Sequence, residues 1–421
     1  MPRPVSLTTF AAFSAAALSL TGGLAAQNCY DAQHRCFTFG PAPESDVGKV
    51  DTQGALDLRS QKLSVEGDIR LRLRTGDTRT GYPYNGLADQ QATRARVRLH
   101  YQATEKVKAL AEFNFSETWA GSESYSDAMA GENFNGISQF YLDAEDMFGF
   151  GDHWRVGRSE YILGNGLVLG SCDYLQRPGT FTGVWFSRPI AGHDFELFMF
   201  DDYGPLQAAH DGVRYVGGTA SINFGDCCGG MLGKIKPYYM AGTHDGDEVT
   251  SANETEDDQW LGIDGLGTLP GDIQWNAEWA QRFVDAGEDR MAWRATLTKK
   301  LGLCGGAFDS VSLQHTDAEG KMDVGNPADF NSAGLLHQYG GAWRSDMQTT
   351  QLGLRVLPGQ EISIDVNLLA FDRRGGATQQ GEYEADFIVG RKFASGVYAS
   401  AGYGVDDDRR QVGYFQLTLN F

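Results

Sequence analysis

Residues 411–421 read Gln-Val-Gly-Tyr-Phe-Gln-Leu-Thr-Leu-Asn-Phe. Phe415, Leu417, Leu419 and Phe421 alternate with Gln416, Thr418 and Asn420. Successive strand residues point to opposite faces, so this period of two makes a strand with one apolar and one polar face. In a soluble sandwich the apolar face would meet a core and the polar face water. In a transmembrane barrel the apolar face meets lipid and the polar face lines a wet lumen. What decides between them is whether the rest of the chain repeats the pattern.

It does. Alternating segments recur near 64–75, 92–102, 107–116, 136–144, 153–159, 181–188, 193–200, 213–224, 233–243, 258–266, 273–283, 289–299, 307–316, 348–357, 361–371, 382–392, 396–404 and 411–421. That gives about eighteen strands, an even number that returns the chain to the side it started from. Connectors alternate between short ones (102–106, 189–192, 358–360, 393–395) and long ones (76–91, 117–135, 160–180, 317–348). Short periplasmic turns and long extracellular loops are the habit of outer-membrane barrels, and a soluble sandwich has no reason for it. The expected fold is therefore all-β: a transmembrane antiparallel β-barrel over 63–421. The bulk numbers agree. Of 421 residues, 54 are Gly and only 12 are Pro, and 12% are aromatic, which suits many strands joined by turns. A mean hydropathy of -0.35 fits a barrel, because only alternate strand residues face lipid.

The N-terminus reads as an export signal. Arg3 precedes the apolar stretch 10–20, and Gly23, Leu24, Ala25 and Ala26 supply small residues for cleavage. Residues 1–26 are thus the expected signal peptide and 27–62 a periplasmic lead-in. All six Cys (Cys29, Cys36, Cys172, Cys227, Cys228 and Cys304) lie beyond it, and Cys29 with Cys36 is the nearest pair for a disulfide in an oxidising compartment. The net charge of -20 argues against nucleic acid. The acids gather between strands, at Asp245, Asp247, Glu248, Glu254, Glu256, Asp257, Asp258 and Asp406 to Asp408. They read as a solvated surface facing lipopolysaccharide, with divalent-cation binding as the sharper alternative. No cofactor is expected.

Charge decides which way the side chains point. In the first two segments every second residue is Arg: Arg70, Arg72 and Arg74, then Arg94, Arg96 and Arg98. A cation on the lipid face costs about 2–4 kcal/mol near the midplane, so these six must face the lumen. The same parity puts Arg155, Arg282, Arg290, Arg294 and Arg355 inside, with the acids Asp365, Glu384 and Asp386 a few strands away around the wall. Two readings of the arginine wall stand side by side. It is a structural network paired with acids, or it is an electropositive track selecting anionic or polyhydroxylated solutes.

The stretch 154–184 carries Val156-Gly157-Arg158, Gly164-Asn165-Gly166, Gly170, Asp173-Tyr174, Gly179-Thr180-Phe181 and Gly183. It resembles the alginate-export porin family, departing from it at Leu167, Cys172 and Thr182. The terminal Phe421 likewise resembles the signal by which the barrel-assembly machinery recognises outer-membrane barrels. The resemblance implies an eighteen-stranded channel of the bacterial outer membrane with an arginine-rich conduit for an anionic polysaccharide such as alginate. It adds Arg155 and Arg158 to the candidate conduit, although strand parity sends Arg158 outward. Gly164, Asn165, Gly166 and Asp173 fall in a Gly-rich loop that either folds into the pore as a constriction or stays at the surface.

A hydrolase would need a nucleophile, a base and an orienting group. His100, His153, His193, His210, His244, His315 and His337 sit at strand ends, turns or loops, and no Gly-x-Ser-x-Gly elbow occurs. The expected role is passage, with membrane lipid, lipopolysaccharide and the solute as partners, and neither catalytic nor metal residues. A general porin for other small solutes, or a structural or adhesive barrel, is the alternative.

Overall fold

The computed structural model describes residues 63–76, 90–120, 134–170, 179–202, 213–225, 230–244, 258–284, 288–319, 335, 347–359, 361–373 and 382–421. The expected signal peptide and lead-in lie outside the described residues. So do Cys29, Cys36, Cys172, Asp173, Cys227, Cys228 and the acids from Asp245 to Asp257. Cys304 is an exposed free thiol.

Eighteen strands follow in order: β1 Leu63–Gly76, β2 Gln90–Thr104, β3 Val107–Ala120, β4 Phe134–Glu145, β5 His153–Ser159, β6 Phe181–Ile190, β7 His193–Asp202, β8 Val213–Asn223, β9 Lys234–His244, β10 Gln259–Leu269, β11 Ile273–Phe283, β12 Arg290–Leu303, β13 Phe308–Ala318, β14 Met347–Gly359, β15 Ile362–Arg373, β16 Tyr383–Lys392, β17 Val397–Asp406 and β18 Gln411–Asn420. Each is antiparallel to its neighbours, and β1 pairs with β18, so the sheet closes on itself. Closure removes every free edge, which a sheet in lipid cannot leave unpaired. All eighteen expected segments are strands. The seam is sealed by backbone bonds between Gly67 and Phe421 in both directions, at 2.8 and 3.0 Å.

Connectors 105–106, 191–192, 270–272 and 360–361 sit at one end, and 77–89, 121–133, 160–180 and 319–346 at the other. The alternation is not strict: 224–233 is long for the short-turn end, and 284–289 and 407–410 are short for the loop end.

The two faces differ as parity requires. Ile69, Leu73, Phe115, Leu142, Val156, Leu197, Met199, Leu261, Leu297, Leu352, Leu368 and Phe387 are all solvent-exposed on the outside. A continuous apolar exterior of this extent marks a lipid-facing surface rather than a soluble one. Near the short-turn end, Trp154 packs against Phe186 at 4.8 Å and edge-on to Phe148 at 5.9 Å, an aromatic cluster of the kind found where lipid meets water.

Candidate functional site

The arginines of β1 and β2 face the lumen and meet each other in register. Arg70 lies opposite Arg94, and Arg72 and Arg74 lie opposite Gln416 and Tyr414 of β18. What sits beside them corrects the sequence reading. The charge balance nearest the wall comes from β1 itself and from β3. Asp68 accepts from Arg94 at 3.1 Å and from Arg96 at 2.6 Å. Glu112 accepts from Arg98 at 2.5 Å and from Ser138 at 2.6 Å. Glu66 lies 2.8 Å from His100 and 3.9 Å from Arg98. Glu66 and Asp68 share the parity of Arg70, so this signal was present in the sequence. Which arginine each acid meets depends on strand register, which the sequence does not print. Arg72 donates to the amide oxygen of Gln416 at 2.9 Å, and Arg74 to the Leu335 carbonyl at 3.3 Å.

The three acids expected to balance this wall are lumenal but face other groups. Asp365 holds Arg355 through both its oxygens, at 2.7 and 3.1 Å. Asp386 accepts from the Leu335 amide at 3.1 Å, and Glu384 stands opposite Leu369 and Asp406. Leu335, in the long connector between β13 and β14, is buried in the lumen between Arg74 and Asp386. The acids Asp258, Asp406 and Asp408, read from sequence as solvated or cation-binding, are instead engaged by arginines. Asp258 pairs with Arg282, and Asp406 and Asp408 with Arg410.

The loop after β5 turns inward. Its backbone crosses to β10, β11 and β12, where the buried carboxylate of Glu278 accepts from the Asn165 and Leu167 amides at 3.1 and 3.2 Å. The Asn165 side-chain amide donates to Asp264 at 2.8 Å and Asn276 at 3.0 Å, while its carbonyl accepts from Arg294 at 2.7 Å. Gly164 and Gly166 adopt φ of 59° and 82°, the left-handed region. A side chain at Gly164 would also collide with Glu278 and Tyr238. Of the four loop residues read from sequence, Gly164, Asn165 and Gly166 are in the lumen and Asp173 lies outside the described residues. Glu278, Asp264 and Asn276, which hold the tip, were missed. Their inward parity is legible in the sequence; their partner, about a hundred residues away, is not.

The loop rests on apolar lumen. Leu163, Leu167, Val168 and Leu169 are fully buried among Phe181, Trp185, Phe198, Phe200, Tyr215, Met240 and Trp260, all pointing inward from β6 to β10. Rings of Phe198 and Phe200 stack at 5.3 Å, and Tyr161 lies 5.2 Å from Phe198. This half of the lumen is a packed core.

The two arginines of the resembling stretch part company. Arg155 is lumenal, bound to Asp143 at 2.7 and 3.0 Å and lying over the Tyr141 ring. Arg158 is a correction to the conduit proposed from sequence. It pairs in register with the exposed Phe140 and donates to Thr182 and the Ile137 carbonyl on the outer face. Gly157, at φ 131°, introduces no change of parity. Arg290 faces Arg282 across the lumenal side of β11 and β12.

Closed barrel, strand number and inward loop together decide the comparison with known structures. The fold is a porin fold. The OpdO (OccK3) structure of Pseudomonas aeruginosa superposes with a TM-score of 0.58 at 14% identity, over 85% of this chain and 95% of that one. The P. aeruginosa OccK2 (OpdF) structure, solved with glucuronate, gives 0.60 at 13% identity, over 86% and 96%. A BenF-like porin from Pseudomonas fluorescens Pf-5 gives 0.61 at 12%, over 86% and 98%. No family model and no curated protein matches the sequence. At these identities the likeness is one of architecture.

Proposed function

We propose that this chain is a channel of the bacterial outer membrane that passes anionic or polyhydroxylated solutes along its arginine wall. One observation carries the reading. On the lumenal faces of β18, β1, β2 and β3, Arg70, Arg72, Arg74, Arg94, Arg96 and Arg98 stand against the carboxylates Glu66, Asp68 and Glu112. Among the described residues, six arginines share this sector of wall with three carboxylates. Low-dielectric walls focus that field into the path, where the planar fork of Arg suits carboxylates. The solved relative with glucuronate is consistent with such a solute. An anionic polysaccharide such as alginate belongs to the same chemical class. The activity proposed is passage rather than catalysis.

The test is the reversal potential of the purified channel in a salt gradient across a planar bilayer. Anion selectivity is expected, and changing Arg72, Arg96 and Arg98 together to Ser should move the potential toward cation selectivity. A cation-selective channel indifferent to those changes would overturn the proposal.

A further inference from the structure

The wall opposite the arginines holds a second feature, below the inward loop and toward the short turns. Four consecutive strands border a recess of about 180 Å³, lined by Ser187, Arg188 and Pro189 of β6, Asp194 and Glu196 of β7, Thr219 and Ser221 of β8, and Lys236 of β9. Register brings them together: Glu196 lies opposite both Ser187 and Thr219, and Asp194 opposite Ser221. All but Arg188 share the lumenal parity of Phe198 and Tyr215.

A solvated barrel wall would satisfy such groups with its own hydrogen bonds or with bulk water. This recess does neither completely. Thr219 is only 7% exposed, and its buried hydroxyl has no hydrogen-bond partner. Burying a hydroxyl without a partner costs about 1–3 kcal/mol, so such an atom calls for an explanation. One row higher on β6, the indole N–H of Trp185 is likewise buried without a partner. The ceiling is fixed, because the Tyr161 hydroxyl of the loop donates to Glu196. The space equals the liquid volume of about six waters at 30 Å³ each, comparable to one small sugar ring.

The chemistry of the lining selects among solutes of that size. Two carboxylates accept, an ammonium and a guanidinium donate, and three hydroxyls do both. Two acids against two bases leave the lining without a net charge to draw in an anion, unlike the arginine wall. A hydroxyl both donates and accepts, so a ring carrying several of them can satisfy acids, ammonium and Thr219 at once. We infer that the recess lined by Asp194, Glu196, Thr219, Ser221 and Lys236 is a binding site for an uncharged, hydroxyl-rich solute of monosaccharide size, on the short-turn side of the constriction. This inference rests on the chain being a channel, but not on its anion selectivity.

The experiment uses D-glucose as probe, added to the short-turn side of single channels in a planar bilayer. Glucose should interrupt the ion current in a saturable way. Thr219→Val, and separately Asp194→Asn with Ser221→Ala, should each raise the half-blocking concentration about tenfold or more at unchanged open conductance. Arg72→Ser should shift the reversal potential and leave the glucose response as it was. No interruption of the wild-type channel at any glucose concentration would overturn the site, whatever the variants do. So would equal block of wild type and both variants. A channel without anion selectivity that still shows variant-sensitive glucose block would sink the arginine track and leave the recess standing.

Discussion

Two walls of one barrel solve the same problem in different ways. On β1 to β3 the lumenal face is charged, and the buried arginines are held by carboxylates from adjacent strands and by neutral oxygens. On β6 to β10 the lumenal face is aromatic, and it is kept from water by a loop that brings its own leucines. The first wall's partners are oxygens of the kind a solute carries, so on the function proposed above a solute could replace them. The second wall cannot exchange its partners in this way, because aromatic surface exposed to water would be unfavourable by roughly 25 cal/mol for each Å² uncovered. The inward loop is therefore anchored on the apolar side, and the proposed selectivity rests on the charged side.

The largest effect in this contrast should come from releasing the loop. Glu278 accepts from the amides of Asn165 and Leu167 and from the Tyr238 hydroxyl at 2.8 Å, so Glu278→Ala removes three bonds to one buried carboxylate. The docked loop should lose about 3–5 kcal/mol, and single-channel conductance should rise. Unchanged conductance would mean that the apolar contacts alone hold the loop.

Next comes the apolar contact itself. Phe198 is 3% exposed beneath the loop, and Phe198→Ala should destabilise the docked state by about 3 kcal/mol. A lowered midpoint of thermal unfolding in detergent, with selectivity unchanged, is the expected pattern. A change in selectivity instead would show that the two walls are not independent.

On the charged side, Asp68→Asn leaves Arg94 and Arg96 without their shared carboxylate. Stability should fall by about 1–3 kcal/mol in a lumen that water can enter, while anion selectivity in the same bilayer assay should increase. A drop in anion selectivity would assign the arginines to structure alone.

The smallest effect is expected away from both walls. In the turn after β4, the hydrogen bond from Lys106 holds the Asp146 carboxyl below its ordinary range, and the Gly151 amide adds to this. A lowered folded value means the turn's contribution is complete above the unfolded carboxylate pKa and is lost only as pH falls through the folded one. The turn should therefore keep its contribution through mildly acidic pH, and Asp146→Asn should leave the conductance unchanged. A conductance change in that variant would tie the turn to the pore.

The contrast between the walls also explains what could be read in advance. The stretch 197–200 is continuously apolar, because Phe198 and Phe200 point into the loop while Leu197 and Met199 point to lipid. A strand buried on both faces loses its alternation, so the sequence there resembled a weak strand. The regular segments lay where the lumen is wet. Arg158 shows a limit of motif transfer: its neighbours fitted a family pattern, but parity alone placed it correctly on the outer face.

The sequence by itself determined strand number, closure and the facing of each residue. Alternation is local, and a charge near the lipid midplane is unfavourable enough to fix the facing of most strands. Only the tertiary structure decided which acid meets which arginine, that the Gly-rich loop crosses to Glu278, and that a recess lies beneath it. Those depend on strand register and on contacts between residues far apart in the chain, and neither leaves a period in the sequence.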